Sequence, residues 1–195
     1  MEERMIKKLS SPVLAGFLIG IGCNVYQSCE NKYVGALLFA LGLYFICFLG
    51  SSLYTGKIGF YDDKDWNLSS LAFIWLGNFI GAFLCAAITV FSFKRPDFIG
   101  YWDIDLLSLY LKAFVTGVLM YLAVYHYRTA TQHKELGIFL CIPCFLLCGF
   151  RHCVADMFYF WFSDSWGNII PLLIATIGNT AGAICVARVI EWHKS

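Results

Sequence analysis

Charge is what this sequence has least of. Asp, Glu, Lys and Arg make up 14% of its 195 residues, against roughly 25% in soluble domains. Water-facing surface cannot be covered by so few ionised groups, and 59% of the residues are hydrophobic. The formal net charge is +1, so no basic patch points to nucleic acid. A nucleophile–base pair or a metal-ligand set at recognisable spacing is also missing, which argues against an enzyme. No cofactor is implied. Cys141 and Cys144 form a C-x-x-C, but zinc needs further ligands nearby, and Pro143 between them suits a helix start or kink. The nine cysteines fall mostly inside apolar runs and read as small packing residues in helices. A disulfide framework belongs to small secreted scaffolds, which this chain is not.

What is present is a series of long apolar runs, and the mean hydropathy is +0.69. About 20 apolar residues cross the hydrocarbon core of a bilayer. The uncharged runs are Pro12 to Cys29, Tyr33 to Gly50, Leu68 to Phe93, Leu136 to Phe150 and Trp166 to Ala187. Leu106 to Tyr127 adds a sixth run with one lysine, Lys112. The expected architecture is therefore an all-α membrane protein, a single domain over 1–195 with six transmembrane helices in a lipid bilayer. The polar start, Met1 to Lys8, precedes a first run without a cleavage site, so that run reads as a retained span. With a cytoplasmic N-terminus, six spans put Arg4, Lys7, Lys8, Lys57, Lys64, Arg128, Lys134, Arg188 and Lys194 inside. Only Lys32, Lys94 and Arg95 fall outside. That bias fits the positive-inside rule and places both termini in the cytoplasm of a cell membrane.

The chain also repeats itself. Gly77-Asn78, followed by Gly81-Ala82, resembles Gly178-Asn179, followed by Gly182-Ala183. The two copies lie in spans three and six, so two three-span halves, about 10–95 and 104–190, must run in opposite orientations. Such a 3+3 inverted repeat is a common plan for pores and transporters. In each half the middle span breaks early, at Gly50-Ser51-Ser52 and at Gly149-Phe150. Irregular backbone at membrane depth is tolerated only in protein or beside a wet cavity. The two breaks are thus expected to meet near the bilayer centre and to mark the pore.

His152 lies directly after the second break. Ionisable groups at membrane depth are expensive and usually functional. A histidine there can donate a hydrogen bond to an anion or exchange a proton near neutral pH. The plainer reading is a structural histidine bonded to a backbone carbonyl. Arg151 and Asp156 carry opposite charges five residues apart. They read as a buried ion pair, the alternative being an arginine that raises the local potential for an anion. Lys112 is placed to snorkel to the interface. Three Gly-x-x-x-Gly pairs, at Gly16/Gly20, Gly77/Gly81 and Gly178/Gly182, are packing signals. Trp66, Trp102, Trp161 and Trp166 lie near span ends, as an interfacial belt would.

The stretch Gly149-Phe150-Arg151-His152-Cys153-Val154-Ala155-Asp156-Met157-Phe158 resembles the Gly-Phe-Glu-His-Ser-Val-Ala-Asn-Met-Phe of the formate/nitrite transporter family. Leu53-Tyr54-Thr55 is similar to the Leu-Phe-Thr of that family's first helix break. Leu122-Ala123-Val124-Tyr125, Thr176-Ile177-Gly178-Asn179 and the run beginning at Trp75 match further family segments in the same order. The resemblance implies an aquaporin-like protomer with helices two and five interrupted, assembled as a homopentamer with a pore in each protomer. It implies that His152 is the central pore histidine and that Thr55 hydrogen-bonds it. By spacing, Phe39, Leu43, Leu53 and Phe145 align with apolar constrictions on either side. The substrate implied is a small monovalent anion, such as formate, nitrite, hydrosulfide or a short-chain acid.

Departures from the family pattern surround the histidine. Its glutamate is Arg151 here, its later asparagine is Asp156, and an asparagine of span four aligns with Gly117. A vestibule lysine of the longer N-terminal segment has no counterpart, and Tyr101 falls near the place of a second. Weaker anion attraction is the expectation. A pore for a small neutral or weakly acidic solute, or an inactive membrane assembly protein that keeps the fold, are the alternatives.

Overall fold

A computed structural model describes the backbone of residues 2–60, 67–92 and 101–195, and side chains from residue 9 onward. Trp66, Lys64, Lys94 and Arg95, invoked above for the aromatic belt and the charge bias, lie outside these. The chain is all-helical there: α1 (Glu2–Ser28), α2 (Lys32–Leu49), α3 (Tyr54–Lys57), α4 (Leu68–Ser92), α5 (Leu106–Thr129), α6 (Leu136–Leu147), α7 (Cys153–Phe160) and α8 (Ile169–Lys194). Five helical stretches are long and apolar enough to cross a membrane: Leu9–Ser28, Lys32–Leu49, Leu68–Ser92, Leu106–Thr129 and Trp166–Lys194. Their hydropathies run from 1.5 to 2.1. Leu136–Leu147 is equally apolar in kind but shorter.

Local chemistry sets the helix ends. Asn31 caps α2, its Oδ1 accepting from Tyr33 N at 2.9 Å and Val34 N at 3.2 Å. At the other end Gly50 takes the left-handed conformation, φ 66°. Gly50 N donates to Cys47 O at 3.2 Å and Ser51 N to Ile46 O at 2.9 Å, closing the helix in a Schellman motif. The same motif closes α6. Gly149 has φ 65°, Gly149 N donates to Leu146 O at 3.1 Å, and Phe150 N donates to Phe145 O at 2.9 Å. Only glycine takes this conformation without steric cost, so each glycine stops its helix well inside an apolar run. The end of α6 at Leu147 falls short of the sequence-based end at Phe150 because the left-handed turn needs the intervening residues.

Packing repeats in the two halves. α1 lies on α4 and on α2, as α5 lies on α8 and on α6. The halves are joined by α2 against α6 and α4 against α7. Glycine permits the tightest of these approaches. A Cβ on Gly81 would stand 1.9 Å from Val13 O, and one on Gly182 would stand 1.9 Å from Phe114 O. Outward faces such as Leu37, Leu41, Phe45 and Phe48 remain exposed and apolar, the surface that lipid or a second protomer covers. Trp166 is 78% exposed, as a belt residue would be. Trp102 and Trp161 instead turn their indole Nε1 into the protein. Trp161 packs 4.5 Å from Phe83 and 5.0 Å from Phe79, which removes it from the expected belt.

Candidate pore site where two helix breaks meet

Between the end of α2 and the start of α3, and between α6 and α7, the backbone is extended: Leu53 has φ −96°, ψ 132° and His152 has φ −111°, ψ 113°. Extended residues have no helical partners, so their polar groups need others. Two asparagines supply them. Asn78 Oδ1 accepts from Tyr54 N at 2.8 Å, and its Nδ2 donates to Ser52 O at 3.0 Å and Pro12 O at 2.8 Å. Asn179 Oδ1 accepts from Cys153 N at 2.8 Å, and its Nδ2 donates to Arg151 O at 2.9 Å and Ala113 O at 2.7 Å. Both side chains are fully buried. Sequence reasoning took these positions as packing repeats and missed the clamps. The available signal was the asparagine itself, a polar residue in the middle of each apolar run.

The two breaks meet. Thr55 Oγ1 lies 2.8 Å from His152 Nε2, both residues being buried. His152 also caps α7, its Nδ1 accepting from Ala155 N at 3.2 Å. An Nδ1 that accepts carries no proton, so in the neutral ring the proton sits on Nε2 and is donated to Thr55 Oγ1. The threonine hydroxyl proton is then left to donate to a solute. Phe145 stacks on the imidazole, centroids 5.7 Å apart, and meets Phe39 edge-on at 6.1 Å. Phe39, Leu43, Leu53 and Phe145 are each about 1% exposed. Thr55, His152, Phe145 and Phe39 thus form one chain of contacts, and Leu43 and Leu53 lie in the same buried core.

A cavity of about 410 Å³ opens beside Leu43 and Leu53, with Gly50, Lys57, Arg128 and Lys134 also on its wall. The Arg128 guanidinium rests 4.1 Å over the Phe60 ring. Three cations, Lys57, Arg128 and Lys134, thus share one cavity wall. They come from three separate segments, which the sequence does not show as a cluster.

The departures around His152 form a network of their own. Arg151 Nε donates to both oxygens of Asp156 at 3.2 Å, and Nη2 lies 3.2 Å from Oδ2. Arg151 Nη1 donates to Tyr101 O at 3.0 Å, and the Tyr101 hydroxyl donates to Asp156 Oδ1 at 2.5 Å. The ion-pair reading thus matches the geometry, and Tyr101 is a partner that sequence reasoning had not found. Gly117 does not touch this network. A Cβ there would stand 2.1 Å from Asn179 O, so glycine is set by the closeness of α5 to α8. The first half has the same contact, with a Gly16 Cβ 2.0 Å from Asn78 O.

Apolar spans enclosing a polar centre define a multi-span membrane protein of the channel and transporter class. The chain belongs to the formate/nitrite transporter family, whose model matches residues 1–193. It is 30% identical to the formate channel FocA of Haemophilus influenzae, over 94% of this chain and 85% of that protein. It is 24% identical to the nitrite transporter NirC of Salmonella typhimurium, over 95% and 82%. These relatives are channels and transporters, not enzymes. Among solved structures, an FNT family ion channel superposes with a TM-score of 0.84 at 22% identity, covering 100% of this chain and 92% of the other. A pentameric formate channel with formate bound superposes at 0.81 and 20% identity, covering 98% of each.

Proposed function

We propose that this protein passes a small monovalent anion, of the size of formate, nitrite or hydrosulfide, through a pore in each protomer. The observation that carries the reading is the Thr55–His152 contact between the two helix breaks. On this reading 1–195 is one transmembrane domain of two inverted halves. α2 with α3 forms an interrupted second span, and α6 with α7 an interrupted fifth, which brings the number of spans to six. At about 1.5 Å per residue, the 12 residues of α6 and the 8 of α7 add to roughly the 30 Å of a hydrocarbon core. Assembly as a homopentamer follows the related solved channel, and both termini lie in the cytoplasm by the lysine and arginine bias.

The solute enters the wide cavity, where Lys57, Arg128 and Lys134 raise its local concentration. It then passes Leu43 and Leu53, where lost hydration costs several kcal/mol or more. The Thr55 hydroxyl, its oxygen held by the His152 Nε2–H, offsets part of that cost as a hydrogen-bond donor. Phe39 and Phe145 form the apolar ring beyond. His152→Phe keeps a flat ring and removes the group that donates to Thr55 and orients its hydroxyl. Purified protein carrying it, in proteoliposomes, is expected to lose most formate and nitrite uptake between pH 5 and 8. Uptake equal to the parent protein at every pH refutes the reading.

A second reading, permeation of the neutral acid, is favoured by the four fully apolar constriction residues. The same vesicles distinguish the two, because only anion flux follows an imposed membrane potential.

A further inference from the structure

We propose that Arg151 and Asp156 form a balanced charge pair that sets the anion conductance of the adjoining pore, Arg151 favouring and Asp156 opposing an anion at His152. The proposal rests on the pore reading above. Both groups are buried, Arg151 at 6% and Asp156 at 0% exposure. Every oxygen of the carboxylate is engaged: Arg151 Nε reaches both at 3.2 Å, and the Tyr101 hydroxyl donates to Oδ1 at 2.5 Å. The guanidinium lies 4.0 Å over the Tyr101 ring and 5.2 Å from the Trp102 ring, a cation–π seat on both. The pair is therefore held together from three sides.

Its place is what gives it a role. Arg151 precedes His152, and Asp156 N donates to His152 O at 2.8 Å in the first turn of α7. Arg151 is thus the residue before His152, and the Asp156 backbone lies one helical turn after it. Together they present no net charge to the pore; either alone presents a full one. The matching position in the first half is Ser52, which is uncharged and whose N–H donates to Ser11 Oγ at 2.9 Å. The position matching Asp156 is Lys57, so that half makes the same helix break without an ion pair, and the break itself does not require one. Buried ion pairs contribute little stability over apolar residues of the same volume, so folding does not explain the pair either.

The two charge deletions are predicted to act in opposite directions, which loss of a structural brace would not produce. At an effective dielectric constant of about 20, one uncompensated charge roughly 10 Å away changes an anion's occupancy about tenfold. Formate efflux driven by membrane potential is measured in proteoliposomes holding equal amounts of pentamer. Asp156→Asn is expected to raise it several-fold, and Arg151→Gln to lower it about tenfold. The double substitution returns it toward the parent value, and Arg151→Lys, which keeps the charge, recovers most of the flux. Changes of the same sign in both single variants, or a loss of flux in Asp156→Asn, overturn the proposal. Should Arg151→Gln fail to assemble, Asp156→Asn and Arg151→Lys decide it: a rise in the first with retained flux in the second supports it, any other pattern refutes it. His152→Phe in the same assay separates the two ideas. If it leaves flux untouched the pore reading falls with the pair; if it abolishes flux while the charge deletions share a sign, only the pair falls.

Discussion

Replacing Asn179 by leucine tests the clamp on which the second helix break depends. The two side chains share one branched heavy-atom shape, and the bulkier leucine methyl groups add an overpacking cost in the same direction. What is lost is defined by three contacts: Cys153 N, Arg151 O and Ala113 O. Ala113 lies inside α5, where its carbonyl keeps a helical partner. Cys153 N and Arg151 O belong to the break and have no helical alternative. Leaving a buried backbone group unpaired costs about 1–3 kcal/mol, so two such groups cost roughly 2–6 kcal/mol. For a chain of this length about 2–4 °C accompanies each kcal/mol, which predicts a thermal midpoint in detergent lowered by roughly 5–20 °C. Asn78→Leu removes the equivalent contacts to Tyr54 N and Ser52 O and is expected to lower the midpoint by a similar amount. Both variants should also lose uptake, because the clamps place Thr55 and His152. A midpoint within about 2 °C of the parent protein, with normal uptake, refutes the assignment of these residues as clamps.

Two glycine positions and the cavity give further outcomes. Gly117→Ala drives a Cβ to 2.1 Å from a backbone oxygen of α8, so the helices must separate; a loss of about 1–3 kcal/mol is expected by thermal unfolding. Gly50→Ala meets nothing within 4 Å and bears only the left-handed backbone cost of about 1–2 kcal/mol. The assembled Gly50 variant is therefore expected to show unchanged oligomer size, and the Gly117 variant a loosened one. Lys57→Gln combined with Lys134→Gln is expected to reduce anion uptake several-fold at low ionic strength. The difference should fade near 1 M salt, where the screening length falls to about 3 Å. A salt-independent loss would mean that these lysines hold structure and do not attract the solute.

The helices were legible because an apolar run of span length allows one solution in a bilayer, and the boundaries of α2 and α4 fall within a residue or two of the runs that define them. The polar centre was legible in part. His152 and Thr55 announce themselves as polar residues beside breaks, and the family motif brings them together. The clamps were not legible, since Asn78 and Asn179 each reach a carbonyl 66 residues earlier in the chain, and sequence carries no trace of that contact. Tyr101 escaped for a similar reason: it bonds Asp156 and Arg151 from the segment between the halves. Trp102 and Trp161 were read as interfacial because they stand near span ends, but cation–π seating over Arg151 and stacking against Phe79 and Phe83 hold them inward.

The two halves agree wherever the backbone must be controlled and differ where the solute must be met. Gly50 and Gly149 stop their helices by the same hydrogen bonds, Asn78 and Asn179 satisfy the same extended residues, and Gly16 and Gly117 admit the same close approach. Counting onward from the two stopping glycines, Ser52 answers to Arg151, Leu53 to His152, and Thr55 to Val154. At each of those three positions one half is polar or charged in a way the other is not. A repeat that kept both copies alike would place either two imidazoles or two hydroxyls at the meeting point. Two hydroxyls would lack the ring nitrogen that caps α7 from the same residue, and two imidazoles would lack the hydroxyl. Divergence at these positions pairs one acceptor with one donor across the break, Thr55 Oγ1 with His152 Nε2, and leaves one hydroxyl proton for the solute. The common scaffold thus accounts for the existence of the site, and the unequal triplets account for its chemistry.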